Sequence, residues 1–388
     1  MALMCVLVLN KWRRFAPPDK HTRKSKQNCL NEKMLRQNGR VLKQSRAVFS
    51  LFLKILVLFL IVWYNKSMEK FIIIDGNSLI NRAYYGLPNL KSLSGKPCGA
   101  IFGFINMMIS LISSEKPKYL VCVFDAGKHT FRHNMYAEYK GTRDKMPEDL
   151  HSQLVDLKDL LRAMGIMIKE IPEIEADDII GTVSRICDEH NVVCNILTGD
   201  KDDLQLATKT SHIKLIVTKM GKTENEDYNR ERVLEEYGIE PNQLIDLKGL
   251  MGDASDNIPG IPGVGEKTAV KLLQEYGTVE NVLLGEHKGK LKEKIENGKE
   301  SALMSKEIAT IFKDVPLPFT LEDTNYKGID VSGLKEYFTK YEMRSLLSRL
   351  NDLVDTTPKE SIEYEVVESF INDFEEILKN KSKKYKRL

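Results

Sequence analysis

The chain has 388 residues and a formal net charge of +3, so it is long enough for two or three domains and is not uniformly basic. Residues 1–67 contain 14 Lys and Arg against 2 Asp and Glu, a charge of +12, which leaves −9 for residues 68–388. The 6 cysteines form no Cys-x-x-Cys pair and the 7 histidines no His-Glu-x-x-His motif, which excludes the commonest zinc sites. Scattered free thiols indicate a reducing compartment, and we expect a cytoplasmic protein.

The first 67 residues form an extension that differs from the rest of the chain. Residues 1–46 are basic and polar without helical or strand periodicity, which predicts disorder. Residues 47–64 are almost entirely apolar, although Lys54 near their middle would cost about 2.5–3.5 kcal/mol on membrane insertion. Two interpretations stay open: an upstream extension of a protein that naturally starts at Met68, or a membrane anchor. We favour the first, because an anchor flanked by these basic residues would place the remaining chain outside the cell.

From Met68 onwards the pattern alternates between strands and helices. Apolar runs rich in Ile, Val, Leu and Phe predict buried parallel strands at 71–74, 119–124, 193–198 and 213–218. Helical patterns lie at about 98–114, 148–165 and 176–190. We predict an α/β fold in which helices flank a mainly parallel sheet. A further helix is predicted over 333–350 and a linker over 355–361.

Acidic residues follow the predicted strands or open the next helix. They are Asp75; Asp125; Glu175, Asp177 and Asp178; Asp200 and Asp202; and Asp253 and Asp256. Because the carboxyl ends of parallel strands meet at one edge of a sheet, we expect several of these side chains to converge. Carboxylates so close repel one another unless they are protonated, paired or shared around a cation. Ligands that are all oxygen suit Mg²⁺, or Mn²⁺, rather than Zn²⁺. For any single acid, a helix cap or a turn is the alternative.

Residues 126–147 interleave aromatic rings with cations. The segment has no apolar face wide enough to pack firmly, so we predict a mobile segment that grips single-stranded nucleic acid. Rings would stack on bases and cations would contact phosphates. An ordinary exposed loop is the alternative. The candidate contacts are Phe131, Arg132, Tyr139, Lys140 and Arg143.

Residues 259–269 supply a second candidate contact with nucleic acid. Gly263 and Gly265 precede a helix predicted to start near Glu266, which leaves backbone N–H groups free at the positive end of that helix. Lys267 adds charge beside them. A hairpin between two helices, shortly after an acid pair, favours sequence-independent binding of a duplex backbone.

With these motifs in place, residues 68–350 resemble the 5′-nuclease domain of bacterial DNA polymerase I, which is related to flap endonucleases. The motifs occur in the family's order. They are Asp75-Gly76-Asn77-Ser78 with Arg82, Val123-Phe124-Asp125-Ala126, Phe131-Arg132, Tyr139-Lys140-Gly141 with Arg143, Glu175-Ala176-Asp177-Asp178, Thr198-Gly199-Asp200-Lys201-Asp202, Gly252-Asp253-Ala254-Ser255-Asp256-Asn257, and the hairpin at 263–269.

The resemblance implies a metal-dependent 5′–3′ exonuclease and flap endonuclease of primer removal and repair. Its implied metal ligands are all nine acids named above, in two groups around two Mg²⁺ ions. Asp125, Glu175, Asp177 and Asp178, with Asp75 nearby, would hold one ion, and Asp200, Asp202, Asp253 and Asp256 the other. Arg132 and Lys140 would neutralise the scissile phosphate. The implied DNA contacts are Arg82, Phe131, Tyr139, Arg143, Gly263, Gly265, Lys267 and Thr268. Asp203 is an extra acid that we expect to be solvated.

The resemblance also implies a domain arrangement. A catalytic core with a helical arch would occupy 68–243, and a helical subdomain with a helix-hairpin-helix motif 244–350. Residues 351–388 would be a linker and the start of a 3′–5′ exonuclease-like domain, so we expect a truncated product or a split gene without the polymerase domain. The expected partner is DNA with 5′ flaps, nicks or gaps, bound by a monomer without a small-molecule cofactor. A PIN-like ribonuclease and a non-catalytic module that binds branched DNA remain alternatives.

Overall fold

The computed structural model describes residues 70–127, 129–219 and 222–354. The predicted extension at 1–67, with its apolar stretch at 47–64, and the predicted linker and stub beyond 354 lie outside the described residues. Among the helices of the described ranges, none combines the length and the apolar character that crossing a bilayer requires.

A six-stranded sheet organises the first half of the described chain. Its strands are β1 Lys70–Asp75, β2 Tyr119–Val123, β3 Met167–Lys169, β4 Val193–Thr198, β5 Ser211–Lys219 and β6 Lys222–Tyr228. The strand order is β3-β2-β1-β4-β5-β6, and all neighbours are parallel except β5 and β6. The predicted mainly parallel sheet is therefore confirmed. The two edge strands, β3 and β6, were not predicted, because one is only three residues long and the other is polar.

Helices between the strands and after the last one cover both faces of the sheet. They are α1 Gly76–Gly86, α2 Gly99–Glu115, α3 Phe131–Met135, α4 Glu148–Ala163, α5 Ala176–His190 and α6 Arg230–Tyr237. Alternate residues of β1 point to opposite faces, as the period of a strand requires. Ile72 and Ile74 pack in the cluster that contains the buried residues of α1, α2 and α4. Phe71 and Ile73 pack in the cluster that contains those of α5. Cys98, Cys122, Cys187 and Cys194 are buried free thiols, as expected for the described residues.

The second half of the described chain is helical. Its helices are α7 Leu244–Met251, α8 Glu266–Tyr276, α9 Val279–Leu284, α10 Gly289–Asn297, α11 Lys299–Ala309, α12 Val331–Lys340 and α13 Arg344–Val354. Buried side chains of α7 to α11 form an apolar cluster of their own, in which Leu250 and Leu273 are almost fully inaccessible. This cluster lies around the predicted hairpin and supports it.

The single helix predicted over 333–350 is two helices, α12 and α13. The chain turns between them at Glu342, whose φ of 55° lies in the left-handed region. Leu334, Phe338 and Leu346 belong to the apolar cluster of α1, α2 and α4. The two last described helices therefore pack on the α/β core, although the sequence grouped them with the hairpin subdomain.

Candidate active site

The carboxyl end of β1 begins the candidate site. Asp75 is the last residue of β1 and the N-cap of α1, where its carboxylate accepts a hydrogen bond of 3.1 Å from the backbone N–H of Ser78. The hydroxyl of Thr198, at the end of β4, donates a second bond of 2.9 Å. Burial raises the pKa of Asp75 to about 6, and repulsion from Asp200 acts in the same direction, while the hydrogen bonds oppose it. A cation beside this carboxyl would favour its charged form.

The carboxyl end of β2 is joined to the start of α5. Asp125 accepts a hydrogen bond of 2.8 Å from the backbone N–H of Ala176 and one of 2.5 Å from the Asn77 side chain. Asp125 thereby fixes the N-terminus of α5, where Glu175 and Asp177 are located. The predicted convergence of acids from different strands begins with this contact.

Three carboxylates meet at the centre of this edge: those of Asp75, Asp177 and Asp203. One oxygen from each lies within 4.8 Å of the other two. Burial, followed by repulsion from Asp203, Asp75 and Asp200, raises the pKa of Asp177 well above its usual value. Burial, followed by repulsion from Asp75 and Asp200, does the same for Asp203. Mutual repulsion of this kind disappears when a cation sits among the oxygens.

The expectation that Asp203 is solvated is wrong. Its side chain is 0% exposed, and it lies in the short 3₁₀-helix Asp202–Leu206 that follows β4. The cause is local: a 3₁₀ turn places successive residues on different sides, so Asp202 faces the cleft while Asp203 points inward. Adjacency of two acids in the sequence gave no indication of which one is buried.

A second acid pair is bridged by a lysine that the sequence did not single out. Lys248 on α7 forms salt bridges with Asp202 and, at 2.6 Å, with Asp253. Burial raises the pKa of Asp202 to about 6, with Lys248 opposing it. At Asp253 burial acts in the same direction, but Lys248 prevails and holds the pKa of that carboxyl at about 2. The ammonium group of Lys248 thus takes the place of a shared cation.

Three side chains from the described part of the segment 126–147 contact these acids. Lys140 donates a hydrogen bond of 2.8 Å to Glu175, and Arg143 one of 2.5 Å to Asp256. The hydroxyl of Tyr139 lies 3.2 Å from Glu175 and 3.4 Å from Asp256, so it bridges the two acid groups. Because Lys140 is nearby, the pKa of Glu175 is lowered even though its burial would raise it.

The ring of Tyr139 is not placed for base stacking in this arrangement, since its side chain is only 4% exposed. The mobility of the segment stays a prediction. Among the described residues of the segment, α3 is the helix, and the arch also stays a prediction. The segment has no apolar face, and its contacts are charge pairs with acids that are distant in the sequence. The hydrophobic periodicity of the segment cannot indicate such contacts.

Arg132 and Asp178 form a buried pair with each other. The guanidinium is 3% exposed and donates two bonds of 2.7 Å to the two oxygens of Asp178. It also donates to the backbone carbonyls of Ile308 and Thr310, while Asp178 accepts from the backbone N–H of Phe312. In this arrangement the Arg132 guanidinium and the Asp178 carboxylate are paired with protein groups, and their roles at a scissile phosphate and at a metal stay predictions.

Arg82 and Phe131 are the other predicted contacts near the acids. Arg82 on α1 donates a hydrogen bond of 2.5 Å to the backbone carbonyl of Gly199, and it lines a cleft beside the acids together with Ser78 and Asn81. Phe131 packs edge-on against Phe312. Arg82 is thus positioned at the rim of the site, whereas Phe131 contributes to the docking of α3.

The predicted hairpin is present between α7 and α8. Gly263 has a φ of 80°, which only glycine adopts readily, and Gly265 is the N-cap of α8, which begins at Glu266 as predicted. Lys267 and Thr268 are exposed in the first turn. The carbonyl of Gly263 accepts a bond of 2.7 Å from Lys294, which adds a second cation to this surface.

The donor set fits a hard divalent cation. All the candidate ligands are carboxylate oxygens, which Mg²⁺ and Mn²⁺ prefer, and the buried Asp203 has no hydrogen bond to either of its oxygens within the described residues. Sequence reasoning missed Asp203 and Lys248 as members of the site. The only indication of these two residues in the sequence was their position, since at most four residues separate each of them from a predicted ligand.

Two family models match the chain in succession. "5'-3' exonuclease, N-terminal resolvase-like domain" matches residues 70–238, and "5'-3' exonuclease, C-terminal SAM fold" matches residues 239–332. Among curated proteins, DNA polymerase I of Bacillus caldotenax is 44% identical over 285 residues, which are 73% of this chain and 32% of that protein. DNA polymerase I of Bacillus subtilis is 43% identical over 287 residues, again 73% and 32%. The chain thus spans about a third of the length of the curated relatives it matches.

Solved structures share the fold. The 5′-exonuclease of bacteriophage T5 with bound divalent metal ions has a TM-score of 0.52 and 22% identity, covering 71% of this chain and 98% of the phage protein. The flap endonuclease of the same phage, in a complex with DNA and metal ions, has a TM-score of 0.51 and 22% identity, covering 73% and 99%. At this identity the likeness concerns the fold alone.

Proposed function

Because the chain belongs to the 5′–3′ exonuclease family of nucleases, we propose that it hydrolyses DNA phosphodiesters at 5′ ends and at 5′-flap junctions with Mg²⁺ as cofactor. The observation that carries this proposal is the convergence of Asp75, Asp177 and Asp203 within 4.8 Å at one edge of the sheet. Carboxylates from separate elements gather at such a place at a cost in stability, which a bound cation removes.

We assign the ligands in two groups. Asp75, Asp125, Glu175 and Asp177 would hold the first ion, while Asp200, Asp202, Asp253 and Asp256 would hold the second. Bound divalent ions in such sites activate water and stabilise the leaving oxygen of a phosphodiester. Mn²⁺ shares the ligand preferences of Mg²⁺ and is expected to substitute for it.

The cations around the acids bind and orient the nucleic acid. Lys140 lies 2.8 Å from Glu175, so a small shift of its flexible side chain brings the ammonium group to a phosphate beside the ligands. Arg143 is 48% exposed despite its pair with Asp256, and it can exchange that carboxylate for a phosphate. Arg82 holds the carbonyl of Gly199 at the rim of the same cleft, where the 5′ strand would pass.

The hairpin binds the duplex away from the reaction. Gly263, Gly265 and Lys267 would offer backbone N–H groups at the start of α8, where Lys267 adds a cation and Thr268 an exposed side chain, an arrangement that suits phosphates of any sequence. The curated relatives are DNA polymerases, and one phage structure contains DNA, which supports DNA as the partner. Primer removal and repair are the roles that we propose for this activity.

We further propose that the protein acts as a cytoplasmic monomer. The acids, the docked cations and the hairpin all come from one chain. The described cysteines are buried free thiols, which a reducing compartment preserves.

The proposal is tested by cleavage of a 5′-flap DNA duplex with and without Mg²⁺. Asp177→Asn is expected to lower single-turnover cleavage by about 10²-fold or more, the scale on which a preorganised charge contributes. Its binding of the flap substrate should change only a few-fold, because phosphate contacts elsewhere carry affinity. Glu189→Gln is the matched control, since it removes an exposed carboxylate at the other end of the same helix.

Three outcomes separate the alternatives. Near-normal turnover by Asp177→Asn would remove this residue from the metal site. No cleavage by the unaltered protein, with tight flap binding, would favour a binding module. A clear preference for an RNA strand over the same DNA strand would favour a ribonuclease.

A further inference from the structure

Asp203 differs from the other buried acids of the described chain. Neither of its carboxylate oxygens has a hydrogen-bond partner of good geometry there, since the nearby hydroxyl of Thr198 donates to Asp75, and its side chain is 0% exposed. The other buried acids each have a cation or a donor group from the protein. They are Asp75, Glu175, Asp178, Asp246 and Asp256. An acid that is buried without such a partner needs an explanation outside the protein's own hydrogen bonds.

The backbone around Asp203 prevents the side chain from turning to solvent. Leu204 and Leu206 follow it in the same 3₁₀-helix and are buried in the apolar cluster that contains the buried residues of α5. Moving Asp203 outward would expose these leucines, and each fully buried aliphatic side chain contributes about 1.5–3 kcal/mol. The fold therefore holds Asp203 where it is, facing Asp75 and Asp177.

We infer that Asp203 is a direct ligand of the divalent cation that Asp75 and Asp177 bind. The three carboxylates each offer an oxygen within 4.8 Å of the others, so one ion can contact all three. This inference deepens the proposed function and rests on it for the identity of the ion, Mg²⁺ or Mn²⁺. It adds a ligand that the family resemblance of the sequence did not assign.

The assignment has two opposite consequences. In the metal-free protein Asp203 is an unpaired buried acid, so its removal should stabilise the fold. In the metal-loaded protein it is a ligand, so its removal should weaken binding. A purely structural acid would not connect these two effects, since its loss would leave metal affinity unchanged.

The test measures Mn²⁺ binding to the full chain by calorimetry in the absence of DNA, and thermal unfolding with and without Mn²⁺. Asp203→Asn is expected to weaken the tightest Mn²⁺ site by about 10-fold or more, the scale on which metal sites lose affinity when their ligand environment is altered. The midpoint of unfolding without metal should rise by about 2–4 °C, corresponding to about 1 kcal/mol in a protein of this size. The increase in midpoint that Mn²⁺ produces should become smaller, because weaker binding stabilises less.

Asp203→Leu is a second variant, which removes both the charge and any residual hydrogen bonding. It should show the same weaker Mn²⁺ binding and an equal or larger rise in metal-free stability. Asp246→Asn is the matched control, because Asp246 is also buried but is paired with Lys306 and the backbone N–H of Val279, and it does not belong to the cluster of Asp75, Asp177 and Asp203. That variant should keep normal Mn²⁺ affinity and should be less stable than the unaltered protein.

The outcomes distinguish this inference from the proposed function. If both Asp203 variants bind Mn²⁺ as tightly as the unaltered protein, Asp203 is not a ligand, although flap cleavage can still be intact. If they bind Mn²⁺ more weakly, Asp203 is a ligand even in a protein that fails to cleave a flap. If the unaltered protein binds no Mn²⁺ at all, the metal site itself is refuted.

Discussion

At the level of single residues, the buried pair of Arg132 and Asp178 joins three parts of the chain. Asp178 lies in the first turn of α5, Arg132 in α3, and both also bond to the backbone of residues 308–312, at the end of α11 and just after it. The pair positions α5, whose N-terminus carries Glu175 and Asp177. Its contribution to function is therefore the placement of other acids.

Arg132→Ala should lower the free energy of unfolding by about 3–5 kcal/mol, because it leaves the carboxylate of Asp178 buried without its partner. Urea unfolding measures this loss. The double variant Arg132→Met with Asp178→Leu should recover part of it, since both charges are then replaced by apolar groups. Arg162→Ala is the control: its side chain is 59% exposed and that of its partner Asp159 is 47% exposed, and such ion pairs contribute about 0–1 kcal/mol. Equal losses for Arg132→Ala and Arg162→Ala would contradict this interpretation.

The residues that could be predicted from the sequence are those whose position follows from a strand end. Asp75 and Asp125 end apolar runs, and the structure places both at the carboxyl edge. The partners of charged residues could not be predicted in this way. Arg132 pairs with an acid 46 residues away, and the burial of Asp203 depends on the turn that contains it.

At the level of elements, the junction of β1 and α1 depends on a close approach. A Cβ atom on Gly76 would lie 2.3 Å from the ring of Phe124, which is fully buried beside the end of β2. The glycine lets α1 start directly after Asp75, so the same two residues end the strand, cap the helix and begin the metal site. Any larger side chain would have to displace the Phe124 ring.

Gly76→Ala should therefore destabilise the protein by about 1–3 kcal/mol, the usual cost of overpacking a core. Gly86→Ala at the other end of α1 is the matched control, because no atom lies within 4 Å of its added Cβ. That variant should be neutral or more stable by up to about 1 kcal/mol, since alanine restricts the unfolded chain. Chemical unfolding of both variants measures whether Gly76→Ala lowers the free energy of unfolding while Gly86→Ala leaves it unchanged or raises it. A stabilising effect at Gly76 would mean that Phe124 relaxes freely.

Elements with strong apolar patterns could be predicted from the sequence, and weak ones could not. The helix predicted at 176–190 coincides with α5, and the strand predicted at 193–198 coincides with β4. The antiparallel edge strand β6 has no apolar run in its sequence. Its place in the sheet is set by hydrogen bonds to β5, which leave no hydrophobic pattern. Hydrophobic periodicity in a sequence indicates which side chains are buried, and an edge strand has few buried side chains.

At the level of the whole molecule, α12 and α13 complete the core of the α/β part. Leu334, Phe338 and Leu346 are each 0% exposed and pack with the buried residues of α2 and α4. Most of these two helices lies beyond residue 332, where the second family model ends. The stable unit therefore extends past the matched region.

Phe338→Ala should lower the free energy of unfolding by about 3–5 kcal/mol, as expected when a buried aromatic ring leaves a cavity. Leu284→Ala is the control, since Leu284 is 79% exposed and its removal should change stability by less than about 0.5 kcal/mol. Urea or thermal unfolding checks both values. If Phe338→Ala were as mild as the control, α12 would be dispensable to the core.

The ammonium group of Lys248 would compete with a divalent ion for the carboxylates of Asp202 and Asp253. This group is attached to α7 and already bridges Asp202 and Asp253, so it acts on these acids at the high effective concentration of a tethered group. An incoming ion at this position has to displace the lysine, whereas among the described residues no Lys or Arg forms a salt bridge with Asp75, Asp177 or Asp203. Filling of the two positions should consequently be ordered. The position at Asp75 fills at low ion concentration, and the position at Asp202 fills only once the free ion outcompetes the side chain.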